Sequence, residues 1–154
     1  MRKQFEIISL IILTLHFVYT LVVFSSLPDT IPVHFNVAGE VDAFGSKVSI
    51  WAIWFASLGL FVMLSLFVYL PMQFWNLPEA VKQDSTGQGK AIALELISSL
   101  KVFTALLFFI LTWLVVRSAK GHSVELLMIA LLGVTIVPLV IVSVYINKMN
   151  QLQS

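Results

Sequence analysis

The sequence predicts an all-α integral membrane protein of four transmembrane helices, with a short extracellular β-hairpin-like loop between helices 1 and 2. Three observations carry that prediction. Of 154 residues, 59% are hydrophobic and 11% charged, whereas a soluble domain carries roughly a quarter charged residues, and the mean hydropathy is +0.99. Four apolar segments, about 5–24, 48–70, 96–116 and 124–146, match the roughly 20 residues that cross a hydrocarbon core. One polar interruption, Leu27 to Lys47, gathers one of the three histidines, three of the eight acidic residues and two of the five prolines. A bilayer offers no water to backbone amides, so each apolar segment is expected to be a helix.

The length predicts a single domain, 1–154. A net charge of +1 gives no basic field for nucleic acid. The absence of cysteine excludes disulfides, thiolate metal sites and a cysteine nucleophile.

The first segment follows Arg2 and Lys3 and precedes Ser25 and Ser26, which resembles a signal peptide, but its apolar stretch is too long for one and it is read as a span. Its polar residues Glu6, Ser9, His16 and Thr20 share one side of a 3.6-residue helix, with Tyr19 beside them, so that side should face the bundle. His16 lies near mid-membrane, where an ionisable group counts as a functional hypothesis. The plainer reading is a neutral imidazole hydrogen-bonded to a neighbouring helix.

In the loop 27–47, Pro28 and Pro32 bias Leu27 and Ile31 toward extended backbone. Ile31, Val33, Phe35 and Val37 then alternate with Pro32, His34 and Asn36, the period of a strand with one apolar face. Ala38 and Gly39 predict a tight turn, Glu40 to Asp42 the return strand, Phe44 and Gly45 a second turn, and Ser46 a helix cap. The polar face of this hairpin should gather His34 and Asn36 with Glu40 or Asp42, with His122 and Glu125 available from the other outer turn.

In the second segment Ser49, Ala52, Ala56 and Gly59 form a small-residue stripe that lets a helix approach closely. The inner segment 73–90 opens on Phe74 and Trp75, with Asn76, Pro78 and Glu79 as a helix start and a flexible break at 83–89. In the third segment Glu95, Ser98, Ala105 and Thr112 align, with Lys101 at the edge of the stripe. Lys101 either snorkels to the headgroups, the plainer expectation, or pairs with Glu6 at similar depth. Pro138 should bend the fourth segment by freeing the carbonyl of Val134.

Lysine and arginine set the orientation. Arg2, Lys3, Lys82, Lys90, Lys101 and Lys148 fall on one side and Lys47, Arg117 and Lys120 on the other, which places both termini in the cytoplasm and the loop outside. Neither H-E-x-x-H nor G-x-S-x-G occurs, and the spacing of His34, Asp42, His122 and Glu125 fits no known metal motif, so no enzyme and no cofactor are expected.

Leu27-Pro28-Asp29, Ile31-Pro32-Val33-His34-Phe35-Asn36, Gly39-Glu40-Val41-Asp42 and Gly45-Ser46-Lys47, in that order after a first span, resemble the signature of the domain-of-unknown-function 1648 family. That family forms the amino-terminal part of SdpI-type bacterial immunity and signal proteins, which have further transmembrane helices beyond the shared part. The resemblance implies a multi-pass protein of the bacterial plasma membrane. It also implies protection against a secreted peptide toxin, or signal reception, as functions to expect.

The motif then supplies the binding candidates Pro28, Asp29, Pro32, His34, Asn36, Gly39, Glu40, Asp42, Gly45 and Lys47, with His16 and Lys101 as intramembrane polar candidates. The expected partners are the lipid bilayer and a secreted peptide or another membrane protein. A small transporter, a metal-dependent membrane enzyme and an assembly subunit of a larger complex are the alternatives.

Overall fold

The computed structural model of the protein describes residues 1–71, 74–75, 77, 81 and 86–151. Helix α1 (Arg2–Phe24) leads into strands β1 (Thr30–Phe35) and β2 (Val41–Ser46), and a 3₁₀ turn, Lys47–Ser49, opens helix α2 (Ile50–Phe67). Helices α3 (Gln88–Ala119), α4 (Glu125–Val134) and α5 (Val137–Asn150) follow. With α4 and α5 taken as one interrupted span, four helices among the described residues are long and apolar enough to cross a membrane. The surface helix expected at Asn76, Pro78 and Glu79 lies outside the described residues.

Three of the spans outrun the apolar segments that announced them, whereas α2 ends at Phe67, short of the expected 70. At 32 residues, α3 extends about 48 Å, well past a hydrocarbon core of about 30 Å, because hydrogen bonding continues through the headgroup layer, where composition turns polar. The fourth span breaks where Pro138 predicts. Proline has no N–H to offer Val134, so α4 ends there, and Thr135 and Ile136 turn back onto Leu132 and Gly133. Helix α5 then restarts with Pro138 in its first turn, where the missing N–H is harmless.

Helix α3 is the centre of the bundle: α1, α2, α5 and β1 all pack on it. The α1 face against it holds Ser9, Leu13, His16 and Thr20, all buried, so the polar stripe does face inward. Between α1 and α2 the contact is aromatic, with Phe17 5.0 Å from Trp54 and Phe24 6.0 Å from Trp51 between ring centroids. The stripe Ser49, Ala52, Ala56 and Gly59 was expected to meet a helix, yet all four residues are exposed: Ser49 and Ala52 line a cleft against Leu111 and Val115 without closing it, and a Cβ on Gly59 would meet nothing within 4 Å. The α2 positions turned inward are Ile50 and Ser57.

The hairpin sits on the end of the bundle. Leu27 and Ile31 are buried with Ile50, Val115 and Val116, and burying an isoleucine side chain is worth about 1.5–3 kcal/mol. Phe35 packs against this cluster and against a second one of Leu114, Val124 and Met128. At the opposite end Trp75, Val81, Ala93, Ile97 and Met149 form a third cluster, so the last turn of α5 lies there beside the start of α3.

Two details of the loop differ from the expected pattern. Phe44 and Gly45 belong to β2 and make no second turn. Gly45 instead permits close pairing, since a Cβ there would lie 2.9 Å from Val33 Cγ1. The strict alternation also fails: Pro32 is buried while Val33 is 45% and Val37 87% exposed. The register slips between Pro32 and His34 and again before Phe35, and such a bulge re-aims the side chains that follow it.

Candidate functional site

The hairpin is held by its own motif residues. At its base, Lys47 Nζ lies 2.9 Å from Asp29 Oδ1 and the Lys47 N–H donates to the Asp29 carbonyl at 2.9 Å. The hydrogen bond from Lys47, and then its charge, hold the Asp29 carboxyl below its ordinary value. Pro28 is exposed and Pro32 buried, each fixing extended backbone beside the helix ends. The Ser46 hydroxyl accepts from the Val48 N–H at 3.4 Å, capping the turn into α2 as expected.

At the tip, Asn36 closes the turn. Its Oδ1 accepts from the N–H groups of Ala38 and Glu40 at 2.9 and 3.0 Å, and its Nδ2 donates to Glu40 Oε2 at 2.9 Å. Gly39 takes φ +79°, and a Cβ on it would lie 2.5 Å from the carbonyl oxygen of Glu125 and 2.7 Å from its Cα. The tip therefore rests on the first residue of α4. Only a residue with no side chain fits both the left-handed backbone and that approach.

His34 and Asp42 face each other across the strands, with Nδ1 2.5 Å from Oδ1 and side chains 67% and 42% exposed. With Nδ1 engaged by the carboxylate, Nε2 is the ring nitrogen left to meet a partner. His122 and Glu125 do not complete a metal site with them: among the described residues no group of three or more His, Cys, Asp or Glu could hold a metal ion. The Glu125 carboxylate accepts instead from the Ser123 hydroxyl.

Phe44 is 66% exposed and, with Val37, leaves large apolar side chains uncovered on the hairpin. Beneath it, two apolar clefts flank Phe35 and Leu111. One of about 270 Å³ runs between β1, α2 and α3 past Ile31 and Ile53, and one of about 250 Å³ between β1, α3 and α4 past Leu107 and Met128.

Inside the bundle, polar contacts lock α1 to α3 at two depths. Glu6 accepts from Lys101 Nζ at 2.9 and 3.1 Å and from the Ser98 hydroxyl at 2.6 Å. Lys101 is only 3% exposed and lies 5.2 Å from the centre of the Phe61 ring. It does not snorkel, because the carboxylate and the ring lie within reach at its own depth. About 15 Å further along α1, the buried His16 places Nε2 2.7 Å from the Thr112 hydroxyl and stacks on Phe109, while its Nδ1 has no hydrogen-bond partner. The imidazole thus makes the single interhelical hydrogen bond of the plainer reading.

Sequence reasoning brought His34, Asn36, Glu40 and Asp42 to one hairpin but missed the seat of Gly39 on Glu125. The one available signal was the glycine itself. Phe35 was read as one apolar residue among several, and nothing in the spacing marked it as the wall shared by two clefts.

Among the described residues, four helices long and apolar enough to cross a membrane, with a two-stranded hairpin at one end of the bundle, fit the class of multi-pass membrane proteins. Residues 11–68, which take in the later part of α1, the hairpin and α2, match the model of the family described as Domain of unknown function (DUF1648). The resemblance carried by the hairpin blocks holds over that span. No curated protein and no solved structure matches the chain.

Proposed function

We propose that the protein is a non-enzymatic, SdpI-like protein of the bacterial plasma membrane that recognises a secreted peptide through its hairpin end, in toxin immunity or signal reception. Both termini are cytoplasmic and the hairpin is extracellular. One observation carries the reading: the hairpin is anchored at its base and tip, yet Val37, Phe44 and the His34–Asp42 pair on it are exposed. Large apolar side chains on a rigid, wet surface are characteristic of binding sites, and an oriented imidazole beside them supplies directional polar contact.

The test is survival of a sensitive bacterium under a panel of secreted antimicrobial peptides, with wild type, Phe44→Ala and His34→Ala at matched membrane levels. Protection by the wild type that both variants lose supports recognition by the hairpin. Protection that both variants retain, or none against any peptide, refutes it. Because the chain has no cysteine, Val37→Cys labelled from outside intact cells checks the orientation directly.

A further inference from the structure

At the end of the bundle away from the hairpin, a cleft of about 470 Å³ opens between α1, α3 and α5, lined by Phe5, Val102, Leu106, Val140, Val144 and, at its terminal end, Tyr145. On α5 it runs from Val137 to Tyr145, about 12 Å along the axis and so most of one leaflet's hydrocarbon depth of about 15 Å. Its walls are apolar except at the Tyr145 end, which the Ser99 side chain also lines. Lys148 Nζ lies 4.8 Å from the centre of the Tyr145 ring. Arg2, exposed, precedes Phe5 by one helical turn on the same face of α1.

We propose that this cleft is a binding site for an anionic phospholipid, with one acyl chain along α5 and the phosphate between Lys148 and Arg2. The length and direction of the cleft fit an acyl chain entering from the headgroup layer, and the charge at its mouth fits the phosphate. Two carboxylates lie at this end among the described residues. Glu6 is held by Lys101, and Glu95, close enough to Tyr145 to act on it electrostatically, has one buried oxygen without a partner. Cations near the headgroup level each add about 1 kcal/mol of attraction to anionic lipid, so two give roughly tenfold to thirtyfold selectivity.

The experiment reconstitutes the full chain in bilayers of equal parts phosphatidylcholine, phosphatidylethanolamine and phosphatidylglycerol, and counts lipids retained on release by native mass spectrometry. The wild type should keep phosphatidylglycerol at least tenfold over the other two. Arg2→Gln with Lys148→Gln should abolish the preference, Val140→Trp should expel the lipid by filling the cleft, and Lys120→Gln at the opposite end should change neither. The charge variants alter exposed side chains, so an unchanged helical spectrum keeps them interpretable should Val140→Trp misfold. Equal retention of all three lipids, or preference for phosphatidylethanolamine drawn to Glu95, overturns the proposal. So does phosphatidylglycerol binding that a folded Val140→Trp leaves intact.

Discussion

Replacing Gly39 by alanine tests whether the hairpin is seated on the bundle or merely tethered above it. Two penalties add. A non-glycine residue in the left-handed region costs about 1–2 kcal/mol, and the new Cβ would stand 2.5–2.9 Å from three backbone atoms of Glu125, an overlap that backbone cannot relieve by changing rotamer and that costs about 1–3 kcal/mol more. Gly121 supplies the control, since it has φ +82° and nothing within 4 Å of its Cβ position, so Gly121→Ala carries the first penalty alone. The assay is amide hydrogen exchange in lipid nanodiscs. In Gly39→Ala the hairpin amides, and the Met128 N–H that donates to the Val124 carbonyl at 2.8 Å, should lose protection by at least about thirtyfold, the equivalent of 2 kcal/mol. In Gly121→Ala the loss should stay near tenfold and local to its own turn. Equal losses in the two variants, or an unaltered first turn of α4 in Gly39→Ala, would refute the seating of the tip.

Three further outcomes follow from the contacts described. Lys101→Met leaves the Glu6 carboxylate with the Ser98 hydroxyl alone; breaking a buried ion pair costs about 3–5 kcal/mol, and because the Glu6 side chain is 32% exposed the loss should fall at or below the low end. The Glu6→Gln, Lys101→Met double variant should recover most of it in a steric-trapping measurement, and a double variant as weak as the single would sink the pairing argument. Thr112→Val removes the partner of His16 Nε2 and should destabilise the bundle by about 1 kcal/mol, the scale of interhelical hydrogen bonds in membranes, read as a lower thermal midpoint in the same detergent. For Asp29, whose folded pKa is depressed by Lys47, the ion pair contributes fully above the unfolded carboxyl value of about 4 and is lost as pH falls through the lower folded value. Exchange at the Lys47 amide should therefore be flat from neutral pH to about 5 after correction for intrinsic rates and accelerate only in stronger acid, while Asp29→Asn should be accelerated already at neutral pH.

The spans and the hairpin were legible because two simple periods announce them. Runs of about 20 apolar residues require helices in a bilayer, and Ile31 to Val37 alternates with period two. The polar stripe from Glu6 to Thr20 was legible for the same reason, since helical geometry alone puts those residues on one face. What pattern could not supply was pairing between distant elements. Glu6 and Lys101 stand 95 residues apart, and helical periodicity places each on a face without saying which facing group lies at its depth. The bulge in β1 was hidden because alternation assumes an unbroken register, and only the pairing with β2 shows that it slips between Pro32 and His34 and again before Phe35. The small-residue stripe on α2 misled in the other direction. Trp51 and Trp54 meet α1 and Ile50 enters the core, while the small residues of the stripe stay exposed.

The polar contacts between α1 and α3 also bear on how the chain matures. During synthesis α1 enters the bilayer well before α3 has been made, so for that interval a carboxylate and an imidazole face hydrocarbon or the insertion machinery without the residues that later satisfy them. Ionisable groups in such a setting are expensive, which makes the lone first span a recognisable mark of an unfinished product. Arrival of α3 brings Ser98, Lys101 and Thr112 together on one rod, and hides that mark in a single docking event. A chain stopped at residue 71 should therefore be cleared by membrane proteases faster than the same chain carrying Glu6→Leu and His16→Leu.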